Sequence, residues 1–238
     1  MMAERMTCGI HQPHFLPWMG YFNKVWHSDV FVWLHSVQYR RSYYQNRAKI
    51  KINEQAAWLT LPVHAPFGAN IDEVVLATSN WRSAVTKTVQ ATYGRTPHFT
   101  SCWPVLADAM NRASDTLDDV NYQTFVALLN LLEMDHVRVV RAGEIPVDTT
   151  DPTERLVQTC KHLGVTRYIA GKGGHNYLEL EQFDRAGIEI VWQDFDFNQI
   201  VYPQAGKNFV PGLSLIDCLF NVGPTATRDL VRDAWTPG

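Results

Sequence analysis

Two histidines and a glutamine stand close together in the stretch GIHQPHFLPWMGYF, at residues 9–22. His11 and Gln12 follow a short apolar run of strand length. Pro13 and Pro17 keep the segment between them out of helical geometry. Because imidazole titrates near neutrality, His11 is a candidate general base or oxyanion partner, and Gln12 is a candidate for the catalytic set as a neutral hydrogen-bonding group. A proline-rich turn with capped polar groups is the structural alternative.

A second stretch, RRSYYQNRAKIK at residues 40–51, carries five basic residues, and no acidic residue occurs between Asp29 and Glu54. Guanidinium groups match the geometry of phosphate and carboxylate, and tyrosine rings stack on flat ligands. The segment is either a solvated basic loop or a site for a phosphorylated ligand or an acidic partner. Asn46 and Arg47 are its substrate-binding candidates.

A third stretch, AGKGGHNYL at residues 170–178, contains three glycines after a predicted strand. Glycines allow a backbone to approach a phosphate, and the N-terminus of a following helix favours an anion. The stretch matches neither the Walker motif nor the dinucleotide fingerprint. A plain turn and an anion site both remain open, and the substrate-binding candidates are Lys172, Gly173, Gly174, His175 and Tyr177.

A fourth stretch, YPQAGKNFVPGLSLIDCLFN at residues 202–221, collects polar residues around one loop and the start of a helix. Lys207 and Asp217 are catalytic candidates here. In the alternative interpretation, Ser214 only caps the helix and Asp217 only complements its dipole. The substrate-binding candidates in this stretch are Gln204, Asn208 and Ser214.

Composition excludes several classes of protein. The 238 residues are 46% apolar and 19% charged, with a net charge of −3 and a pI near 6.3. These values are typical of a globular protein, and the small negative net charge gives no overall electrostatic attraction to nucleic acid or to membranes. No signal peptide or membrane helix is visible, and four scattered cysteines indicate reduced thiols, so we expect a cytoplasmic protein. No metal-ligand spacing and no Ser-His-Asp set is present, and no cofactor is identified.

Strand and helix patterns alternate at both ends of the chain. Strands at 7–10 and 29–34 flank a short helix at 18–27, which predicts a parallel unit. WLTLPV at 58–63 and IDEVVL at 71–76 are expected to add strands to the sheet. Further strands are predicted at VRVV, RYIAG and IEIVW, with helices at DPTERLVQTCKHLG and LSLIDCLFN.

Three amphipathic stripes between about residues 79 and 135 predict a block of helices in the middle of the chain. The fold class is therefore α/β, with a mainly parallel sheet, helices on both faces and this helical block inserted. We expect residues 1–238 to form a single domain. Ligands bind beyond the carboxyl ends of parallel strands, so the four polar stretches are expected to meet in one cleft.

Together the stretches resemble the WbqC-like protein family. The matching pieces run in order from about residue 9 to 222: IHQPHFLPWMGYF, DVFVWLHSVQY, QNR, Trp81, ERL, YIAGKGGHNYL, YPQ and FVPGLSLIDCLFN. The resemblance implies a role among bacterial genes for O-antigen and other surface sugars, or in natural-product pathways, without defining a reaction. Gln38, in the second piece, is a further substrate-binding candidate. The family often carries two aspartates where this chain has His35 and Ser36, so any metal or amine held by that acidic pair would be bound differently here.

A weaker likeness links the chain to nucleotidyltransferases and pantothenate-synthetase-like ligases. Those proteins also open with a strand, a polar turn such as GxFQPxHxGH, a helix and a strand, and GIHQP…GYF and LSLID are similar to their two ends. Tyr21 follows Gly20 where that signature has its second histidine, and the spacing differs. The likeness therefore bears on the fold class more than on the activity.

The favoured hypothesis is a biosynthetic transferase or ligase that moves an acyl or aminoacyl group from a carrier-bound or nucleotide-activated substrate. Arg47, Lys172 and Lys207 would hold phosphate or carboxylate, and neutral amides such as Asn46 would orient the substrate. The segment 40–51 would dock an acidic acyl carrier protein. The alternatives are a non-catalytic module that binds a nucleotide sugar or a carrier protein, and an RNA-binding protein, against which the negative net charge argues.

Overall fold

The computed structural model describes residues 5–237, and its centre is a parallel β-sheet. The strands in chain order are β1 Thr7–His11, β2 Val30–Trp33, β3 Arg47–Ile52, β4 Gln55–Thr60, β5 Val63–His64, β6 Val75–Leu76, β7 Arg138–Arg141, β8 Arg167–Gly171 and β9 Glu189–Gln193. The α-helices are α1 Met19–Trp26, α2 Trp81–Tyr93, α3 Phe99–Arg112, α4 Leu117–Leu131, α5 Pro152–Leu163, α6 Leu180–Ala186 and α7 Leu215–Asp233. Among residues 5–237, no helix combines the length and hydropathy needed to cross a bilayer.

Five strands form the main sheet in the order β7–β2–β1–β8–β9, and every neighbouring pair is parallel. The chain passes from β1 to β2 on one side, whereas β8 pairs with the other side of β1 and leads on to β9. The strand order therefore reverses between β1 and β8. Such a reversal opens a crevice beyond the carboxyl ends of the two strands.

Helices cover both faces of this sheet. On one face, Phe31 and Trp33 of β2 pack on Phe125 of α4, with ring centroids 5.6 and 4.8 Å apart. On the other face, Val32 belongs to a buried cluster that includes Val157 of α5. All four residues of β2 are buried, as expected for a strand covered on both sides. The structure confirms the predicted α/β class with a mainly parallel sheet.

The helices predicted between about residues 79 and 135 are α2, α3 and α4, which follow one another along the chain. Trp81 of α2, Leu106 of α3 and Leu128 of α4 are fully buried in the same core. These three helices pack with α1 and α7 on one side of the sheet. The apolar stripes of the sequence thus mark the faces that the helices bury.

Helix α5 shows how local signals set the bounds of an element. The Asp151 side chain accepts a hydrogen bond from the Glu154 amide at 2.6 Å, and Pro152 is the first helical residue. Gly164 ends the helix with a φ of 67°, a left-handed conformation that glycine adopts without steric cost. The sequence predicts all three features because each depends only on neighbouring residues.

Two expectations about the sheet are wrong. The segments 58–63 and 71–76 do not join the main sheet, because β3 and β4 form an antiparallel hairpin of their own and β5 pairs with β6. Moreover, the second half of the basic segment is strand β3 rather than a loop. Ala48 and Ile50 are buried beneath it, whereas Arg47 and Lys49 point outward over Trp58. This alternation follows the two-residue period of a strand.

Candidate functional site

The switch point places the ends of β1 and β8 side by side. Cys8 and Gly9 of β1 pair with Tyr168 and Ile169 of β8, so the two strands end at the same edge. His11 is the last residue of β1, and both it and Gln12 are partly exposed at this edge. The sequence predicts this position for both residues. It is the place where open parallel sheets bind their ligands.

A cluster of rings surrounds the end of β1. The His11 ring lies 4.7 Å from that of His14 and 4.5 Å from that of Tyr21. The His14 ring stacks on Tyr44 at 5.4 Å and meets Tyr43 edge-on at 5.7 Å. His14 is only 2% exposed, and neither of its ring nitrogens has a hydrogen-bond partner in the part of the chain that the structure describes. Sequence reasoning did not select His14, although its spacing from His11 within an aromatic run was visible.

Both histidines are held in the neutral state. Burial lowers the pKa of His11 to about 3, and the nearby charge of Lys24 adds to this effect. Burial also lowers the pKa of His14 well below its usual range, and repulsion from a protonated His11 and from Lys24 adds to this effect. His11 Nδ1 lies 2.9 Å from the Gln12 carbonyl oxygen, which can only accept a hydrogen bond. The proton therefore sits on Nδ1, and Nε2 keeps a free lone pair.

Amide side chains fasten the basic segment against this loop. Gln45 donates to the Gln12 side-chain oxygen at 2.8 Å, and the Arg40 amide donates to Gln45 at 2.7 Å. The Asn121 side chain, on α4, donates to the Gln45 carbonyl at 2.8 Å. The Phe15 amide also donates to the Tyr44 carbonyl at 3.0 Å. The bond from Gln45 holds the side-chain oxygen of Gln12 in place. The Nε2 group of Gln12 is then available to donate to a ligand.

Lys24 is a buried amine beside the same strand ends. Its side chain, 4% exposed, passes over Gly9, where a Cβ atom would lie 3.1 Å from Lys24 Cγ. A Cβ atom on Gly171 would lie 3.7 Å from Lys24 Nζ, which places the amine at the end of β8. Within residues 5–237, Lys24 Nζ has no hydrogen bond and no ion pair. Burial lowers its pKa to about 8, and Cys8 partly opposes this.

Sequence reasoning missed Lys24. The available signal was one lysine inside the apolar helix MGYFNKVW. Lysine is almost never fully buried unless it is paired.

The loop before α1 is strained and is held by the start of α7. Leu16 is fully buried with a φ of 42°, a left-handed conformation that costs roughly 1–2 kcal/mol for a residue with a Cβ atom. The Ser214 hydroxyl donates to the Leu16 carbonyl at 2.6 Å, and the Leu215 amide donates to the Pro17 carbonyl at 2.9 Å. Ser214 also accepts weakly from the Ile216 amide at 3.5 Å. Its hydroxyl therefore caps α7 and fixes the loop at once.

The glycine-containing stretch forms a 3₁₀ helix, Lys172–Asn176, directly after β8. Lys172 pairs with Asp194 at 2.6 Å on the surface, and the His175 ring stacks on Trp192 at 3.6 Å. Gly174 is buried, and a Cβ atom there would lie 2.8 Å from the Leu178 side chain. Gly173 faces open space. The loop therefore offers open backbone at Gly173, while its charged and aromatic side chains have partners.

Tyr177, directly after the 3₁₀ helix, lies near enough to the basic segment to be affected electrostatically by Tyr43. Its side chain is 52% exposed, and burial together with the nearby Tyr43 phenol raises its pKa. Tyr43 in turn contacts His14. Three of the four polar stretches thus meet around the end of β1.

The fourth stretch forms a separate network around Asp217. This carboxylate, 1% exposed, accepts hydrogen bonds from Tyr93 at 2.9 Å and Tyr202 at 2.8 Å. Gln204 donates to the Tyr202 hydroxyl at 3.2 Å and to the Val210 carbonyl at 3.0 Å. Burial raises the pKa of Asp217, and its tyrosine partners partly offset this rise. The loop containing Gln204 is thereby fixed to α7.

Lys207 and Asn208 lie at the turn between β3 and β4. Their backbone amides donate to the Glu54 carboxylate at 3.0 and 2.9 Å. Lys51 donates to the Ala205 carbonyl at 2.8 Å and to the Asn208 carbonyl. The contacts of these two residues thus fasten a loop, and their side chains are exposed.

The three cations expected to share one anion are not brought together. Arg47 is the first residue of β3, which runs for about 17 Å before it reaches the turn that holds Lys207. Its guanidinium lies 4.0 Å over Trp58 and donates to the Ser42 carbonyl. No contact among residues 5–237 joins the side chains of Arg47, Lys172 and Lys207.

The remaining candidates are Asn46, Gln38 and the two residues that follow Leu34. Asn46 is buried and donates to the Leu61 carbonyl at 2.9 Å, with its own oxygen unpartnered. Gln38 is exposed and pairs with Asn70 through its backbone. His35 and Ser36 follow β2, whose last residue is level with His11. The two positions at which the family resemblance implies aspartates therefore border the same edge of the sheet.

A shallow apolar pocket lies elsewhere, at the starts of α1 and α7. It contains no charged group, and its lining includes Met19, Phe195, Phe197, Tyr202, Phe209 and Leu213. The polar groups able to carry out proton transfer lie at the β1–β8 edge instead. Among residues 5–237, no three His, Cys, Asp or Glu side chains are grouped as metal ligands would be.

Two comparisons with known proteins show what the chain is similar to. The model of the WbqC-like protein family matches residues 12–229. The chain is also similar to an uncharacterized protein of Mycobacterium tuberculosis, with 28% identity over 220 residues that cover 91% of this chain and 94% of that protein. The matched range contains all four polar stretches except residues 9–11, which include His11. The chain therefore belongs to the WbqC-like protein family.

Proposed function

We propose that this protein is a biosynthetic enzyme of bacterial surface-polysaccharide or natural-product assembly. It transfers an acyl or aminoacyl group from a carrier-bound or nucleotide-activated donor to an amine or hydroxyl group. The observation that carries the proposal is His11 at the β1–β8 switch point. Its ring is neutral, its Nδ1 proton is bound to the Gln12 carbonyl, and its Nε2 lone pair is free.

The chemistry needs one proton acceptor and one hydrogen-bond donor. His11 Nε2 removes the proton from the attacking amine or hydroxyl as that group bonds to the acyl carbon. The bond between the acyl carbon and its carrier then breaks, and the proton passes from His11 to the departing thiolate or phosphate. Gln12 Nε2 donates to the acyl oxygen on which charge develops. Positioned proton transfer of this kind contributes about 10²–10⁴-fold to a rate.

The outward face of the basic segment supports docking of an acidic acyl carrier protein. Lys51 is buried and bound internally, so it does not contribute. Arg40 and Arg41 are exposed, and Lys49 lies beside Trp58, which is 39% exposed. Cations next to an exposed aromatic ring suit an acidic protein surface.

A product assay tests the proposal. The full chain is incubated with carrier proteins bearing different acyl groups and with amino-sugar or amino-acid acceptors, and product is measured by mass spectrometry. His11→Asn keeps a donor near the position of Nδ1 and removes Nε2, whereas His162→Asn changes an exposed histidine on α5. We expect H11N to lose about 10²–10⁴-fold in rate and H162N to retain the wild-type rate. Equal rates in H11N and wild type would remove His11 from the mechanism.

One observation favours a non-catalytic binding module instead. A pKa of about 3 makes His11 a weak proton acceptor in the empty site. A binding module for a nucleotide sugar or a carrier protein predicts saturable heat on calorimetric titration and no product with any donor. Product formation that is lost in H11N would show that the protein is an enzyme and not only a binding module.

A further inference from the structure

Two buried lysines of this protein differ in their surroundings. Lys51 is bound by two backbone carbonyls and by the Glu54 carboxylate at 3.2 Å. Lys24, 4% exposed, has none of these partners within the described residues. An unpaired ammonium group in a protein interior is costly. The burial of Lys51 is explained by the loop that it holds in place. The burial of Lys24 has no such explanation in the fold.

In the described part of the chain, no negative charge faces Lys24 from the elements packed around it. On β1 and the following loop, His11 and His14 are neutral because their pKa values are lowered. The Cys8 thiol is neutral as well, since a side-chain hydrogen bond with the free Cys160 thiol and burial raise its pKa. Tyr21, on the same helix, is protonated because burial raises its pKa. Gly171 of β8 presents no side chain.

Lys24 Nζ lies next to partly exposed residues at the ends of β1 and β8. A Cβ atom on Gly171 would be in van der Waals contact with Nζ at 3.7 Å, and Gly171 and His11 are both partly exposed. The unpartnered ring nitrogens of His14, which is 2% exposed, provide a second polar group with an unmet hydrogen-bonding need in the same cluster. A neutral imidazole can donate one hydrogen bond to an anion.

We propose that Lys24 binds one anionic group of the substrate, a carboxylate or a phosphate, at the β1–β8 switch point. The inference rests on the proposed function in that it places the substrate in the same site. A carboxylate would belong to an amino acid or acyl acid, and a phosphate to a nucleotide or a phosphopantetheine arm. Both are compact oxyanions, and either would supply the negative charge that is missing beside the Lys24 ammonium group.

Titration with simple anions tests the inference without any turnover. Sodium acetate and inorganic phosphate are added separately to the full chain at constant ionic strength, and the ¹³Cε signals of labelled lysines are followed. We expect a saturable shift of the Lys24 signal with at least one anion. Lys24→Met should abolish the saturable change in Tm that accompanies it, whereas Lys161→Met, an exposed lysine on α5, should respond as wild type.

The pH dependence sharpens this test. The anion binds the protonated amine, so acetate affinity should fall about tenfold per pH unit above pH 8. A response to acetate alone identifies a carboxylate, and a response to phosphate alone identifies a phosphate group. No saturable response in wild type, or an equal response in K24M, overturns the inference.

Failure here is distinguishable from failure of the proposed function. H11N should still bind the anion, because it retains Lys24 and Gly171, although it loses turnover. If anion binding is absent while H11N still abolishes product formation, the acyl-transfer proposal stands and the role of Lys24 falls.

Discussion

The hydroxyl of Ser214 donates a 2.6 Å hydrogen bond to the carbonyl of Leu16, a residue 198 positions earlier in the chain. Both residues are buried, and Leu16 has the unfavourable φ of 42°. The bond thus links the start of α7 to the loop that follows His11 and carries His14. A backbone conformation that is costly by itself persists only where surrounding contacts hold it.

Removal of this hydroxyl should destabilise the protein. Ser214→Ala leaves the buried Leu16 carbonyl without its donor, so we expect the free energy of unfolding to fall by about 1–3 kcal/mol. Urea denaturation measures the change. Ser83→Ala, at an exposed position of α2, should stay within about 0.5 kcal/mol of wild type. An S214A protein as stable as wild type would show that the loop does not depend on α7.

Lys24→Met should stabilise the protein at pH 7. The pKa of Lys24 is about 8 in the folded state and about 10.5 in the unfolded state, so the folded state binds its proton less well. This costs up to about 3 kcal/mol below pH 8, and the cost fades as the pH rises from 8 to 10.5. Denaturation at pH 7 and pH 10 should therefore show a gain for K24M that is larger at pH 7. Destabilisation at pH 7 would mean that Lys24 has partners and a structural role.

The same substitution should raise the pKa of both loop histidines. The positive charge of Lys24 is one cause of the low pKa of His11 and His14, second to burial for His11. We expect NMR titration of the ring Cε1 signals to give higher pKa values in K24M than in wild type, with both still below the usual value. Lys161→Met should leave them unchanged, and unchanged values in K24M would place the amine away from the rings.

Acid should destabilise the protein through His11. Its pKa is about 3 in the folded state and about 6.5 in the unfolded state, so the unfolded state binds more protons between these values. The free energy of unfolding should therefore fall as the pH drops from 6.5 toward 3. Urea midpoints across this range should decline less steeply in H11N. Identical slopes in the two proteins would show that His11 can be protonated in the folded state.

Two glycine substitutions test whether the ligand binds beside Lys24 or elsewhere along the loop after β8. An alanine methyl group at Gly171 would make ordinary contact with Nζ at 3.7 Å, whereas one at Gly173 would face open space. Both variants should fold with stabilities within about 1 kcal/mol of wild type. G171A should weaken anion binding and G173A should not. Equal anion affinities in the two variants would place the ligand elsewhere.

Much of the scaffold could be predicted because its signals are local. Asp151, Pro152 and Gly164 mark the bounds of α5 within a few residues of sequence. The apolar run of β2 indicates a strand that is covered on both faces. From these elements, the position of His11 and Gln12 at a strand end follows directly.

The rest depends on contacts between distant segments. Whether Lys24 is buried depends on the neighbours of α1 in the fold, and the chain gives only a lysine in an apolar run. Gln45 and Asn121 meet although they are 76 positions apart, and nothing local indicates this. Strand β3 was missed because its alternation is short and its outward residues are basic. The sequence predicts that Arg47 and Lys207 bind the same anion, but Arg47 lies at the start of β3 and Lys207 at the turn beyond its end.

The central claim is that substrate binds at the β1–β8 switch point. A crystal structure with the acyl donor or nucleotide sugar that most raises Tm tests it most directly. The account predicts ligand density within about 3.5 Å of His11 Nε2, with an anionic group against Lys24. Density confined to the apolar pocket lined by Phe195 and Tyr202 would contradict it.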